Sequence, residues 1–282
     1  MTQHTQDLRV AALQTDISWE NPKANIQLIQ RQMDGVNDGT DLIILPEMWA
    51  TGFSMRPDDI ALEWDDRWRS NRDQWPAPLQ AMLGWSQEKD AAVVGSLSCK
   101  ILQGKRFVNR CFFVSPNCEL DWYDKRHLFG FAGEDEVYQA GEKSKTIEWR
   151  GWKLHLQICY DLRFPVFSRN QASSPYDVLI YVANWPKARV HAWTALLHAR
   201  AIENQCYAVG VNRVGTDGNG IAHNGCSLLL HPKGHALASS MDDESNWIQA
   251  TFSAKELIDF RAKFPVLSDA DSFEITQRRS AP

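Results

Sequence analysis

The sequence of 282 residues predicts a layered α/β fold, on two observations. Helix-period segments alternate with short apolar strands in the first part of the chain, whereas strands cluster in hairpins in the later part. This mixture favours sheets covered by helices over a purely parallel sheet. No Pro-, Gly- or Ser-rich segment divides the chain and no repeat is present, so we predict one domain over residues 1–282.

The individual elements follow in chain order. Residues 8–13 form a short apolar strand, and apolar residues at helical spacing between 26 and 36 predict a helix. The near-continuous apolar run at 41–45 (DLIIL) is typical of a strand buried on both faces. The later candidates are helices at 78–89 and 191–205, a hairpin of 107–114 with 120–123, and strands at 91–97, 153–159, 178–183, 207–211, 227–230 and 247–252.

Composition and charge exclude several classes of protein. With 30 basic and 35 acidic residues the net charge is −5, which argues against a nucleic-acid partner. No apolar run approaches the roughly 18 residues of a membrane helix, and no signal peptide is recognisable. The 6 cysteines show no paired spacing, which favours free thiols. We therefore expect a cytoplasmic protein with neither a membrane nor a nucleic acid as partner.

Three reactive side chains share one placement, directly after an apolar strand. They are Glu47, Lys125 and Cys159. Each has an ordinary explanation when taken singly, namely a solvated carboxylate, a surface lysine and an inert core thiol. Strand ends that border loops are where α/β proteins usually place their sites, so we expect the three to meet.

The chemistry that these groups could share is acyl transfer. A free thiol is only a few per cent thiolate at pH 7, and a neighbouring carboxylate can take its proton as a general base during attack. A lysine ammonium would stabilise the developing oxyanion. The backbone N–H of Tyr160, the residue after the thiol, is a natural second donor.

Three segments carry a family resemblance. Residues 45–53 (LPEMWATGF), 123–129 (YDKRHLF) and 158–165 (ICYDLRFP) resemble the three signatures of the nitrilase superfamily of carbon–nitrogen hydrolases. The order Glu, Lys, Cys is the order of that family. The resemblance covers about residues 8–265, with a C-terminal tail after them. It implies a four-layer α-β-β-α sandwich that forms a homodimer or a higher homo-oligomer.

The same resemblance implies roles for the site residues. Glu47 becomes the general base, Lys125 the oxyanion stabiliser and Cys159 the nucleophile. The family often carries a second glutamate between the lysine and cysteine motifs. Glu134 fits that position, with Glu136 as its competitor and a solvated acidic loop as the ordinary explanation.

Three further segments are similar to the ω-amidase group of the superfamily: 47–53 (EMWATGF), 181–186 (YVANWP) and 199–205 (ARAIENQ). This similarity implies hydrolysis of the terminal amide of a small 2-oxo acid, 2-oxoglutaramate or 2-oxosuccinamate, to the dicarboxylate and ammonia. The reaction passes through a cysteine thioester. It requires no metal and no organic cofactor.

The substrate carboxylate needs a cationic or N–H partner. Arg163 is available four residues after the thiol, although a structural ion pair, for example with Asp161, is the favoured explanation for this arginine. Asn184 and Trp185 resemble the family's site-lining segment, whereas a tryptophan is also a common core residue. These three are the candidate substrate-binding residues.

Two positions depart from the family pattern. Cys118 stands where relatives usually carry Gly, and because Gly tolerates positive φ more readily, we expect a different turn there. Cys226 stands where relatives often carry Asp or His, which leaves the fine substrate preference open.

Several alternative functions stay open at this point. Related groups act on carbamoyl amino acids, other amides or nitriles, and the same thioester could pass its acyl group to an acceptor other than water. A zinc hydrolase is poorly supported, since His191 and His198 lack a HExxH motif or a cysteine pair. A non-enzymatic interaction protein would have to explain why all three reactive residues are present.

Overall fold

The computed structural model describes residues 6–104, 106–240 and 242–276. Two large β-sheets pack face to face, and helices cover their outer sides. The predicted four-layer α-β-β-α sandwich is therefore confirmed. None of the helices in these ranges has both the length and the apolar character needed to cross a bilayer.

The strands and helices have the following bounds. The strands are β1 (Leu8–Gln14), β2 (Leu42–Ile44), β3 (Leu62–Trp64), β4 (Ala92–Ile101), β5 (Arg106–Val114), β6 (Leu120–Asp124), β7 (Lys145–Trp149), β8 (Trp152–Ile158), β9 (Val178–Ala183), β10 (Tyr207–Asn212), β11 (Val214–Thr216), β12 (Ala222–Asn224), β13 (Leu228–Leu230), β14 (Ala236–Ser239) and β15 (Asn246–Phe252). The helices are α1 (Pro22–Gln32), α2 (Pro57–Ile60), α3 (Ala77–Lys89), α4 (Glu134–Val137), α5 (Val190–Glu203) and α6 (Ala254–Lys263).

Both large sheets are mixed. The first has the strand order β15-β1-β2-β4-β5-β6, with β3 also paired to β4, and the second has the order β14-β13-β10-β9-β8-β7. Strands β1, β2 and β4 run parallel, as do β8, β9 and β10, whereas β5 and β6 form the predicted antiparallel hairpin. The parallel strands bring their carboxyl ends to a common edge of each sheet, where α/β proteins place their sites.

Side-chain alternation along β1 shows how the layers are held together. Val10 and Ala12 belong to the apolar core shared with the second sheet, whereas Ala11 and Leu13 belong to the core under α1 and α3. On the far side of the second sheet, α5 packs so closely on β10 that a Cβ at Gly210 would lie 2.3 Å from the Leu197 side chain. Any larger residue at this crossing would force the side chains of Leu197 and Trp193 to move.

The structure departs from the predicted elements mainly in short segments. Strands β3, β7, β11, β12 and β14 and helices α2, α4 and α6 were not predicted, and β4 runs on to Ile101. Most of these are three to five residues long, too short for a clear periodic signal. The expectation of a different turn at Cys118 was wrong, because Cys118 itself adopts φ +65°. Its backbone N–H donates to Ser115 O at 3.0 Å, which holds the turn.

Candidate active site

The candidate nucleophile stands on a tight turn at the carboxyl end of β8. Strand β8 ends at Ile158, and residues Cys159–Arg163 form one turn of 3₁₀ helix. Cys159 has φ +44°, a left-handed conformation that is uncommon outside glycine and often found at functional sites. The turn sets Cys159 and Tyr160 beside the same cavity.

Glu47 lies in the segment that follows β2 and is fully buried. Its Oε1 accepts hydrogen bonds from Lys125 Nζ at 2.9 Å and from Asn109 Nδ2 at 2.8 Å. Its Oε2 accepts from the backbone N–H of Asn184 at 2.8 Å. Since Asn184 directly follows β9, this last bond joins the carboxylate of the first sheet to the edge of the second.

Lys125 follows β6 directly and is also fully buried. Besides Glu47, its ammonium contacts both oxygens of Glu134, at 3.0 and 2.9 Å. Glu134 is buried at the start of α4 and accepts from the backbone N–H of Phe129 at 2.6 Å, whereas Glu136 is exposed. The structure thus brings Glu134, and not Glu136, to the lysine.

The charges of this cluster perturb one another. Burial alone would lower the pKa of Lys125, but the charges of Glu134 and Glu47 outweigh burial and raise it. Burial and the charge of Glu47 raise the pKa of Glu134, although Lys125 opposes them. Burial, together with the charge of Glu47, raises the pKa of the Cys159 thiol well above its usual range. The raised pKa favours the thiol form of Cys159, which is hydrogen-bonded to the Glu47 carboxylate.

A cavity of about 170 Å³ opens above Cys159. Aromatic and apolar side chains form most of its wall, with a few polar and charged groups between them. The lining residues include Phe53, Met55, Phe129, Phe131, Tyr160, Arg163, Asn184, Trp185, Arg189, Asp217 and His223. A small, mainly apolar cavity with few polar groups is typical of a site for a small organic molecule.

Arg163 and Trp185 lie together in the wall of this cavity. The guanidinium carbon of Arg163 lies 5.0 Å from the centre of the Trp185 ring. The ion pair with Asp161 left open by the sequence does not form, since that carboxylate bonds to Tyr123, His127 and the backbone of Ile158. Arg163 is half-buried and has no carboxylate within ion-pair distance in the described part of the chain.

Two further site residues escaped the sequence analysis. Asn109, in the middle of β5, donates to Glu47 and also to Glu134, the latter at 3.3 Å. Arg189 lines the cavity with its guanidinium carbon 5.3 and 5.5 Å from the rings of Phe129 and Phe131. The available signal for Asn109 was its place, with Arg110, as one of two polar residues in the middle of a mainly apolar strand, whereas Arg189 gave none.

A four-layer sandwich with a buried Glu, Lys and Cys beside one cavity is the arrangement expected of the carbon–nitrogen hydrolases. A comparison with protein-family models gives the same class. The model described as carbon-nitrogen hydrolase matches residues 9–262. The chain belongs to the carbon–nitrogen hydrolase family, and it is a hydrolytic enzyme of the amidase type.

Individual relatives refine this placement. The chain is 40% identical over 268 residues to omega-amidase YafV of Escherichia coli (strain K12), covering 95% of this chain and 98% of the relative. It is 29% identical over 261 residues to 2-oxoglutaramate amidase of Bacillus subtilis (strain 168), covering 92% and 96%. The crystal structure of XC1258 from Xanthomonas campestris, a CN-hydrolase superfamily protein with an arsenic adduct in its active site, superposes with a TM-score of 0.89 at 35% identity. That superposition covers 96% of this chain and 100% of the other.

Proposed function

We propose that the protein hydrolyses the terminal amide of a small 2-oxo acid, 2-oxoglutaramate or 2-oxosuccinamate, to the dicarboxylate and ammonia. The observation that carries this proposal is the cluster of Glu47, Lys125 and Glu134, buried beside the thiol of Cys159, which itself lines a small cavity. The omega-amidase and 2-oxoglutaramate amidase relatives support the choice of substrate class.

In the first half of the reaction, the Cys159 sulfur attacks the amide carbon while Glu47 takes the thiol proton. The raised pKa of the thiol makes this base necessary, because little thiolate exists beforehand. The carbonyl oxygen becomes an oxyanion held by Lys125 Nζ and the Tyr160 N–H. Protonated Glu47 then gives its proton to the amide nitrogen, ammonia leaves, and a thioester remains on Cys159.

The second half uses the same groups in reverse. Glu47 takes a proton from water, which attacks the thioester carbon, and the oxyanion forms again at the same donors. The carbon–sulfur bond breaks, the acid product forms, and Glu47 returns the proton to the sulfur. Two lower barriers replace one high barrier, and no metal or organic cofactor takes part.

Lys125 changes partners during these steps. At rest its ammonium donates to Glu47 and to both oxygens of Glu134. When Glu47 accepts the thiol proton, its negative charge disappears and its bond to Lys125 weakens. One N–H then becomes available for the oxyanion as that charge develops, while Glu134 keeps the ammonium in place.

The side chains that line the cavity select the substrate. Arg163 lies over Trp185 and has no carboxylate partner among the described residues, so it can bind the carboxylate of the 2-oxo acid at the end remote from the amide. Trp185 forms an apolar wall, and Asn184 positions Glu47 twice: its backbone N–H donates to Glu47 Oε2 at 2.8 Å, and its side-chain amide donates to the Glu47 carbonyl at 2.5 Å. Arg189, supported on two aromatic rings, is a second candidate for this carboxylate.

An ammonia-release screen tests the proposal. The panel contains 2-oxoglutaramate, 2-oxosuccinamate, glutamine, asparagine, carbamoyl amino acids, simple amides and nitriles. We expect the 2-oxo acid amides to give the highest kcat/KM and equimolar iodoacetamide to abolish activity. Higher kcat/KM for a carbamoyl amino acid or another amide would reassign the substrate. Transfer of the acyl group to an added acceptor, in place of acid formation, would replace hydrolysis by acyl transfer.

We also propose one catalytic domain that works in the cytoplasm as a homodimer or a higher homo-oligomer. The 6 cysteines all lie in the described residues and are free, which suits a reducing compartment. Ile202 on α5 and Ile258 on α6 are exposed apolar side chains that association could cover. Light scattering coupled to size-exclusion chromatography gives the oligomer size, and a single 32.2 kDa species would overturn this proposal.

A further inference from the structure

One buried carboxylate, that of Asp161, ties together the two loops that carry the nucleophile and the lysine. Its Oδ2 accepts from the Ile158 backbone N–H at 3.0 Å and from the Tyr123 hydroxyl at 2.8 Å. Its Oδ1 accepts from the backbone N–H of His127 at 2.9 Å and from His127 Nδ1 at 2.8 Å. Asp161 is fully buried, and nothing in the proposed reaction uses it.

These partners lie at informative places in the chain. Ile158 immediately precedes Cys159, while Tyr123 and His127 stand two residues before and two residues after Lys125. Ile158 is the residue before the turn, and Asp161 is the third residue of the turn, so this bond holds the start of the turn that begins at Cys159. One carboxylate therefore holds the backbone on one side of the nucleophile and on both sides of the lysine.

A second contact acts in the same direction. The His127 ring stacks on Phe164, the residue that ends the nucleophile turn, with ring centres 3.8 Å apart and planes 7° apart. The Tyr123 hydroxyl, besides donating to Asp161, accepts the backbone N–H of Arg126 at 3.0 Å. The lysine loop is thus held on the nucleophile turn at several points, and Asp161 is the common acceptor.

We infer that Asp161 is a positioning residue for catalysis: through its four hydrogen bonds it sets the distance and angle between Cys159 and Lys125. The inference rests on the proposed roles of those two residues. Attack and oxyanion binding need the sulfur and the ammonium placed around one carbonyl group, and a misplacement of about 1 Å can cost on the order of 10² in rate. Loss of Asp161 should therefore lower kcat with little change in KM.

Asp161→Asn is the first variant. Its amide nitrogen donates where a carboxylate oxygen accepted, so two of the four donors lose their acceptor in the buried site. We expect kcat to fall by about 10² and KM to stay within about three-fold. The rate of Cys159 alkylation by iodoacetamide, followed by peptide mass mapping to separate it from other cysteines, should fall in parallel.

Asp177→Asn is the matched control. Asp177 is also a buried carboxylate next to a strand of the second sheet, and it accepts from Lys153 N at 3.0 Å and Arg261 Nη1 at 2.8 Å. It contacts neither catalytic loop through these bonds. We expect it to lower the Tm comparably while kcat and the alkylation rate stay within about two-fold, since structural destabilisation alone does not move the two reacting groups.

Tyr123→Phe covers the case in which Asp161→Asn does not fold. It removes one bond to the carboxylate, and we expect about a ten-fold fall in kcat at a near-native Tm. Unchanged kcat in folded Asp161→Asn or, failing that, in Tyr123→Phe overturns the inference, as does an equal fall in kcat for Asp177→Asn at equal Tm loss. Alkylation of Cys159 by iodoacetamide is measured without any amide substrate. It therefore tests the role of Asp161 even if the enzyme hydrolyses no 2-oxo acid amide in the substrate screen.

Discussion

Replacing Lys125 by Met should uncouple the charges of the site and make the fold sensitive to pH in a defined direction. The substitution keeps an unbranched, buried side chain but removes the only ammonium between Glu47 and Glu134 among the described contacts. Removing one partner of a buried ion pair costs about 3–5 kcal/mol when the remaining charge stays ionised. The variant can avoid part of that cost by keeping a proton on a carboxyl group.

The direction of the pH dependence follows from this proton. Burial and the charge of Glu47 already raise the pKa of Glu134, and without Lys125 it rises further. A raised folded-state pKa gives stability that is present below the unfolded value of 4.5 and is lost as the pH rises through the folded value. The deficit of Lys125→Met relative to the unsubstituted protein should therefore be smaller at pH 5 than at pH 8.

Two measurements check this prediction. Urea unfolding at pH 5 and pH 8 gives the stability deficit, and ammonia release gives kcat/KM, which should fall by at least about 10²–10³ with the loss of an oxyanion donor. Arg261→Met, which removes a cation from Asp177 outside the site, is the control and should keep its activity. A deficit independent of pH, or kcat/KM within about three-fold of the unsubstituted enzyme, refutes the reasoning.

Three other substitutions extend the test. Cys159→Ala should abolish ammonia release while leaving the Tm near its original value, and activity in the folded variant would defeat the nucleophile assignment. Arg163→Gln should lower kcat/KM for an anionic 2-oxo acid amide by about 10²-fold through loss of a charge-assisted bond, and should spare a neutral amide; equal losses for both amides would contradict carboxylate binding. Burial lowers the pKa of His155 to about 4. Buried neutral His155 therefore contributes about 3 kcal/mol of unfolding free energy above pH 6.5 relative to low pH, and this contribution is lost as the pH falls toward 4. His155→Phe should flatten the fall in unfolding free energy between pH 6.5 and 4, and an unchanged slope would exclude His155 as its source.

Periodicity and strand-end placement predicted much of the frame of the site. The apolar runs before Glu47, Lys125 and Cys159 predicted that each residue follows a strand, and each does. The resemblance to the carbon–nitrogen hydrolases supplied the remaining information about layers and about Glu134. The ends of these strands can be recognised in the sequence because the change from an apolar run to polar residues is abrupt.

The parts that could not be predicted depend on pairing between distant segments. Asn109 reaches the carboxylates because β5 pairs with β6, so that Lys125 N donates to Asn109 O at 2.9 Å. Nothing local to residue 109 encodes that register. Asp161 likewise stands two residues before Arg163, a possible ion-pair partner in the sequence, yet in the folded chain its carboxylate bonds to Tyr123 and His127 instead.

The hydrogen bond from Asn184 to Glu47 connects the two sheets at the candidate active site. Glu47 follows a strand of one sheet and Asn184 follows a strand of the other, so a small slide of one sheet over its partner would move the proposed base relative to the proposed nucleophile. Substitutions between the sheets, at Ile44 or Val182 for example, should then change kcat although these residues do not line the cavity. Laboratory evolution of this enzyme would find activity-altering changes in its central apolar layer as well as around the cavity.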